Sequence, residues 1–355
     1  MYARACSRRG PCPSAKMWLY DALLSVTGAQ LLALLCAYVG GLVAVAALSA
    51  LLRAATAPAR RAVQGAHVVV TGGSEGIGLA IALEAAAQGA GVTIVARSVG
   101  KLEKAVAQIK AAAASAEQHV GFLSCDVTDA AAVAAAMGAA AATAPIDFLV
   151  CAAGAAYPGY FLDQDVAVFE RTMRLNFLGT VHPAKAAAAG MVARGAGHII
   201  VISSGAAAAS FLGYSSYAPT KFAVRGFADA IRNELLGTGV RVSIAYPPDT
   251  ETPGFEQENR TKPPECARIS PPEVYSAQVV AKLILDGAAA GTYALPSPDV
   301  VQNLLISATA GITPTGGSTV VLAALSPLLT VASRLFGVWA DHVAWGYGTG
   351  LKKSQ

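Results

Sequence analysis

Tyr217 and Lys221, in the run Tyr217-Ala218-Pro219-Thr220-Lys221, set a phenol and an ammonium four residues apart. On a helix that spacing brings both to one face. An unperturbed tyrosine titrates near pH ~10, too high for efficient proton exchange at neutral pH. A cation within a few ångströms favours the phenolate, so Lys221 is expected to lower that value. Pro219 suits the first turn of such a helix, where a missing N–H costs nothing. Upstream stands Ser204, whose hydroxyl could hold a carbonyl oxygen while Tyr217 delivers a proton to it. Its neighbour Ser203 is the second choice. Asn176, in Asn176-Phe177-Leu178-Gly179, could fix a water between the lysine and bulk solvent. Each of these residues alone is unremarkable. Together and in this order they describe a site that moves a proton onto a carbonyl oxygen.

A second set binds rather than reacts. Thr71-Gly72-Gly73-Ser74-Glu75-Gly76-Ile77-Gly78 follows an apolar run and precedes a helix-forming one. Gly72 permits the tight turn, Gly76 lets the backbone approach a pyrophosphate, and Gly78 lets the helix pack close to the strand. The helix N-terminus then offers free N–H groups to phosphate. Gly72, Ser74, Glu75, Gly76, Ile77 and Gly78 are therefore candidate dinucleotide contacts. At the end of the next strand an NAD site carries a carboxylate, and an NADP site a cation. Here stand Arg97 and, one turn on, Lys101, with no carboxylate in Val92–Val99, which predicts NADPH. Asp126 falls either near the adenine or at a helix cap.

These groups need a scaffold. His67–Thr71, Val92–Ala96, Val120–Cys125, Phe148–Cys151, His198–Ser203 and Val240–Ala245 are short, nearly continuous apolar runs, as expected of parallel strands covered on both faces. Between them lie Ala-rich helix formers such as Leu79–Gln88 and Lys101–Ala114. That alternation predicts an α/β fold with a Rossmann-type, doubly wound parallel sheet.

From His67 to Pro253 the chain resembles the short-chain dehydrogenase/reductases, on the strength of TGGSEGIG, Asp126, Asn176-Phe-Leu-Gly179, Ser204 and Tyr217-x-x-x-Lys221. The resemblance implies hydride transfer from NADPH to a ketone, with Ser204 steadying the oxyanion and Tyr217 protonating it. Lys221 would also hold the nicotinamide ribose beside Tyr217. It further implies that the loop after the sixth strand, with Pro247 and Thr250, holds the nicotinamide end and covers the substrate. That loop, Tyr246-Pro-Pro-Asp-Thr-Glu-Thr-Pro-Gly-Phe255 continuing through Glu258 to Pro264, is similar to the one in members that reduce the C3 ketone of a long-chain keto-sphingoid lipid. Relatives acting on steroids, retinoids or fatty acyl ketones, or a silent NADP-binding subunit, are the rival readings. Two departures stand out. Cys151 replaces an asparagine common in the family and predicts less rigidity beside the cofactor. Glu75 adds a negative charge near the phosphates.

The ends of the chain differ from its middle. Of 355 residues only 14% are charged, 26 basic against 22 acidic, and 54% are hydrophobic, which excludes intrinsic disorder. A net charge of +4 is too small and too scattered for a nucleic-acid binder. The six cysteines show no paired spacing, so neither a disulfide framework nor a metal site is expected. Ala22–Leu52 contains no ionisable group apart from Cys36 and Tyr38, and its apolar part suits a membrane helix at about 30–52, a cleaved leader or a buried helix. Val300–Ser333 is also uncharged, broken by Pro314, Gly316, Gly317 and Pro327, and suits an interfacial hairpin or two spans. The expected organisation is an N-terminal basic segment and membrane helix (1–62), a catalytic domain (63–298) and a membrane-associated hydrophobic segment with a basic tail (299–355). Lys352-Lys353 near the end looks like a dilysine endoplasmic-reticulum retrieval signal or a solvated tail. Such a signal would leave the sequon at Asn259-Arg260-Thr261 unused in the cytosol. A homo-oligomer is possible for such a chain.

Overall fold

β-Branched runs too short for a helix become strands here because helices cover both of their faces. A computed structural model of the chain describes residues 28–56, 59–270, 273–310, 330–345 and 347. Its elements in order are α1 (Gly28–Thr56), β1 (His67–Thr71), α2 (Gly76–Ala87), β2 (Gly91–Ala96), α3 (Val99–Ala112), β3 (Val120–Ser124), α4 (Ala130–Thr143) and β4 (Phe148–Cys151). Then come α5 (Val166–Met173), α6 (Gly179–Arg194), β5 (Gly197–Ile202), α7 (Ala218–Glu234), β6 (Val240–Ala245), β7 (Thr250–Glu251), α8 (Pro253–Asn259) and α9 (Pro264–Ile269). The remainder is β8 (Tyr275–Ser276), α10 (Ala277–Ala289), β9 (Ala294–Leu295), α11 (Val300–Ala308) and a helix at 330–345, α12. A π-helical turn, Arg174–Leu178, joins α5 to α6.

Seven strands form one sheet in the order β3-β2-β1-β4-β5-β6-β9, and every pair is parallel. The order reverses between β1 and β4, and the carboxyl ends there open a crevice, the usual ligand position in such sheets. The six strands read from the sequence agree with the structure to within a residue at each end. The seventh, β9, has only two residues and no pattern to betray it.

Alternation along β1 splits the core in two. Val68 and Val70 face one layer with α2, α3 and α10, while Val69 faces the other with α4, α6 and α7. All three valines are fully buried. At about 25 cal/mol per Å² of apolar surface, such layers supply most of the driving force for folding. Alanine in α2 lets helix and sheet approach closely: Ala82, Ala85 and Ala86 have no exposed surface.

The described residues fall into two units, one holding α1 as far as Ala55 and the other the sheet with its helices. The membrane helix expected at about 30–52 coincides with α1, a helix of 29 residues on which Leu32, Val43 and Leu51 are more than half exposed. Helix formation is therefore observed there. Among the described residues no helix is long and apolar enough to cross a membrane, so a span is not. The hydrophobic hairpin expected from Val300 takes another form at its start. α11 packs onto the catalytic domain, with Ile306 buried and Gln302 Nε2 donating to the Tyr246 carbonyl oxygen at 2.5 Å. Residues 311–329 and the Lys352-Lys353 tail lie outside the described residues.

Candidate active site

The crevice begins at the end of β1. Gly72 takes φ +70°, and a Cβ there would stand 2.8 Å from Ala153 Cα. A Cβ on Gly78 would stand 2.3 Å from the Gly72 carbonyl oxygen. Both positions therefore require glycine, one for the turn and one for the helix start. The cap residue of α2, Glu75, is extended and makes no side-chain capping bond. Its helix N-terminus keeps its N–H groups for an anion, and the loop from Gly72 to Gly78, with Ser74 and Ile77, lines the cavity. This is the fit expected for a dinucleotide pyrophosphate.

The two cations expected at the cofactor ribose are both paired. Lys101 Nζ donates to Glu75 Oε2 at 2.6 Å, and Arg97 Nη1 lies 3.9 Å from Asp126 Oδ2. The extra charge of Glu75 is thus answered by Lys101. These pairs are largely exposed, where ion pairs contribute only about 0–1 kcal/mol, so either cation can turn to a phosphate at little cost. Asp126 does not cap α4; Asp129 does, through the N–H groups of Ala131 and Ala132. Asp126 instead accepts from the backbone and hydroxyl of Thr128, both at 2.9 Å. The Thr128 amide and hydroxyl, with Arg97, hold its carboxyl below the usual range.

The proton-transfer set converges from three elements. Tyr217 caps α7, with Pro219 in the first turn. Lys221, one turn on and buried, places Nζ 5.6 Å from the Tyr217 ring centre and donates to the Ile202 carbonyl oxygen at 3.1 Å. Ser204, just beyond β5, is half-buried; its Oγ accepts from the Ala206 amide at 3.2 Å, and its hydroxyl acts on the Tyr217 phenol to lower it. Ser203 is buried and donates to the Lys221 carbonyl oxygen at 3.1 Å, which fixes α7 rather than facing a substrate. Asn176, fully buried in the π-turn, accepts from the Ala155 amide at 2.9 Å and donates to the Ala155 carbonyl and Thr220 Oγ1, both at 3.0 Å. A Cβ on Gly154 would lie 3.0 Å from Asn176 Oδ1 and 3.6 Å from Lys221 Nζ, so the bare glycine leaves room for both side chains. Cys151 is buried at the end of β4. Its backbone is held in register with both Thr71 and Val201, and burial pushes its thiol up to about 12.

The expected electrostatics of Tyr217 require correction. Its phenol is pushed up, not down, first by burial and then by the charge of Glu258, with the Ser204 hydrogen bond working the other way. Burial likewise lowers Lys221, to about 8. A protonated phenol is the state that donates in a reduction.

The loop expected to cover the substrate does line the other wall of the cavity, but its charged network was not read from the sequence. Asp249, Glu258, Tyr214 and Lys262 form a partly buried network there. Lys262 Nζ lies 3.5 Å from Glu258 Oε1 and 3.9 Å from Asp249 Oδ2, with only 5% of its side chain exposed. The Tyr214 hydroxyl donates to Glu258, and its ring centre is 5.8 Å from that of Tyr217. Asp249 is pushed up to about 6 by burial, against the pull of Lys262. Thr250 pairs with Tyr275 across β7 and β8, and its hydroxyl donates to the Pro248 carbonyl. Pro247 and Thr250 both line the cavity, as do Leu304 and Leu305 of α11 and Phe336 and Trp339 of α12. The cavity measures about 1590 Å³, more than the roughly 300–1,000 Å³ of an ordinary small-molecule site. It has room for a dinucleotide and a second large molecule.

A parallel sheet in this order, a glycine loop at its reversal point and a Ser–Tyr–Lys set beyond β5 define a nicotinamide-dependent oxidoreductase. Residues 66–263 match the short chain dehydrogenase family, and the chain belongs to it. It is 43% identical to the 3-ketodihydrosphingosine reductase of Bos taurus, over 66% of this chain and 72% of that protein. It is 41% identical to the 3-dehydrosphinganine reductase of Danio rerio, over 64% and 70%. Among solved structures it is similar to a short-chain dehydrogenase from Sphingobium yanoikuyae in complex with NADPH, with 27% identity, a TM-score of 0.59, and 66% and 88% of the two chains covered. A Mycobacterium ulcerans relative gives 30% identity, a TM-score of 0.61, and coverage of 67% and 90%.

Proposed function

We propose that the chain reduces the C3 ketone of 3-ketodihydrosphingosine to dihydrosphingosine with NADPH, as a step in sphingolipid synthesis. The observation that carries this reading is the Ser204–Tyr217–Lys221 set opening into one large cavity with an apolar wall, in a chain over 40% identical to reductases of that name. NADPH rather than NADH is supported by Arg97 just after β2, Lys101 in the first turn of α3 and the absence of a carboxylate in Val92–Val99. When bound, the nicotinamide supplies the hydride that adds to the carbonyl carbon.

The chain's own residues do the rest. The first turn of α2 would hold the pyrophosphate, and Arg97 and Lys101 would receive the ribose phosphate. The Ser204 hydroxyl donates to the carbonyl oxygen as negative charge grows on it, and the Tyr217 hydroxyl gives that oxygen its proton. Lys221, anchored on Ile202, sits behind the phenol and favours the phenolate left behind. Fixing two reactants in one orientation supplies much of the acceleration.

A ketone on a long alkyl chain resides in a bilayer, so a membrane location follows from the substrate. The exposed apolar surface of α1 and the outward Leu335, Val338 and Trp345 of α12 support membrane contact. Lys352-Lys353 supports endoplasmic-reticulum residence with the catalytic domain facing cytosolic NADPH. The test is direct. The full chain in phospholipid vesicles, given NADPH and 3-ketodihydrosphingosine, is expected to yield dihydrosphingosine by mass spectrometry as absorbance at the nicotinamide band falls. Reduction of a steroid or retinoid ketone with no turnover of the sphingoid ketone would overturn the proposal.

A further inference from the structure

The network beside Tyr217 does not balance its charge. Asp249 and Glu258 bring two carboxylates, and among the described residues Lys262 is the one cation within ion-pairing distance of either. The Tyr214 hydroxyl donates to Glu258 and the Phe255 ring lies 4.9 Å from Lys262 Nζ, and neither group is cationic; Arg268 lines the same cavity but makes no ion pair with either carboxylate. Burying unpaired charge is expensive, and a scaffold needing only an ion pair would be served by one carboxylate. Both carboxylates line the same cavity as Ser204 and Tyr217. One aromatic ring, that of Tyr214, links Glu258 to the catalytic phenol. Both carboxylate charges act on that phenol.

The proposed substrate supplies a cation where one is lacking. Its ammonium group stands on the carbon next to the ketone, two bonds from the carbonyl carbon. With the carbonyl oxygen at Ser204 and Tyr217, the ammonium lies within a few ångströms of the phenol, inside the cavity that Glu258 and Asp249 also line. Resting on the function proposed above, we infer that Glu258 is the specificity-determining residue that receives the substrate ammonium. Lys262 and Tyr214 hold its carboxylate in place, and Asp249 adds the charge that makes the pocket negative overall. The site thus selects α-amino ketones over plain ketones of equal length. A charge-assisted bond of this kind is shorter and stronger than a neutral one.

The experiment compares 3-ketodihydrosphingosine with the same ketone carrying hydrogen in place of the amine, each with NADPH, in the full-length protein. The wild type is expected to favour the amino ketone at least tenfold in kcat/KM. In Glu258→Gln that ratio is expected to fall towards one, mainly through KM, while Glu258→Asp retains part of it. Dodecylamine, against dodecanol as control, is expected to inhibit the wild type and lose its advantage in Glu258→Gln. NADPH binding, followed by its fluorescence, reports whether each variant is folded. A Glu258→Gln protein that binds NADPH and keeps the wild-type ratio overturns the assignment of Glu258. If Glu258→Gln does not bind NADPH, equal inhibition of the wild type by dodecylamine and dodecanol overturns it instead. A wild type that reduces both ketones without preference overturns the ammonium pocket but leaves ketone reduction standing, and one that reduces neither overturns the function itself.

Discussion

The two halves of the cavity use charge in opposite ways. On the cofactor side, Arg97, Lys101, Glu75 and Asp126 sit near the surface in loose pairs, and the binding of phosphate falls mainly to backbone N–H groups. On the substrate side, Asp249, Glu258 and Lys262 are enclosed and share their bonds with Tyr214. Exposed charge is cheap to rearrange and worth little, whereas enclosed charge is costly and acts strongly on its neighbours. The first arrangement suits a cofactor that must come and go each turnover. The second suits a wall that must discriminate and tune a single phenol. Tyr217 meets both halves: burial raises its phenol most, Glu258 adds to that, and Ser204 opposes it.

The largest effect should come where the halves meet. Tyr217→Phe removes the one hydroxyl placed to protonate the product and leaves the glycine loop untouched. General acid catalysis is worth about 10²–10⁴-fold, so kcat should fall by at least about a hundredfold. NADPH affinity, measured by fluorescence titration, should change by less than about threefold. Loss of turnover together with loss of NADPH binding would erase the division between the halves.

How much of this was visible in the sequence follows the same division. The glycine loop, the ends of β1 and β2 and the Tyr217–Lys221 spacing are local patterns, since each function is served by neighbours on one turn or one helix. The strands were legible for the same reason: burial on both faces leaves short apolar runs such as Phe148–Cys151. The acidic wall was not. Asp249 and Glu258 look like ordinary loop and helix residues until α8 folds back and sets Lys262 between them. The direction of the Tyr217 shift was misjudged because spacing reveals Lys221 but says nothing of burial. α11 read as lipid-facing because Ile306 packing against the second core layer is a tertiary fact, invisible in an uncharged run.

On the cofactor side the effects should be smaller and salt-dependent. Arg97→Ala removes one of two cations available to the ribose phosphate. A hydrogen bond to a charged group is worth about 1.5–3 kcal/mol, and breaking the Arg97–Asp126 pair on binding costs up to about 1 kcal/mol of that. NADPH should therefore bind about 2- to 30-fold more weakly, with NADH almost unaffected, in titrations run side by side. Equal weakening of both nucleotides would mean that Arg97 does not read the phosphate.

The smallest effect, and the most informative about direction, belongs to Glu75→Gln. Glu75 stands at the N-terminus of α2, where a carboxylate favours the helix dipole by about 0.3–1 kcal/mol, and its pair with Lys101 adds little more because both side chains are exposed. Without nucleotide, the substitution should lower the melting temperature by a degree or two. With nucleotide the sign reverses. The same carboxylate repels the incoming phosphates and competes with them for Lys101, so its removal should tighten NADPH binding about two- to fivefold. Because the charges involved are solvent-exposed, the gain should shrink as salt rises towards 0.5 M, where the screening length falls below about 5 Å. If Glu75→Gln weakens NADPH binding instead, the carboxylate is positioning Lys101 for the phosphate rather than opposing it, and the cofactor side is a built network like the substrate side.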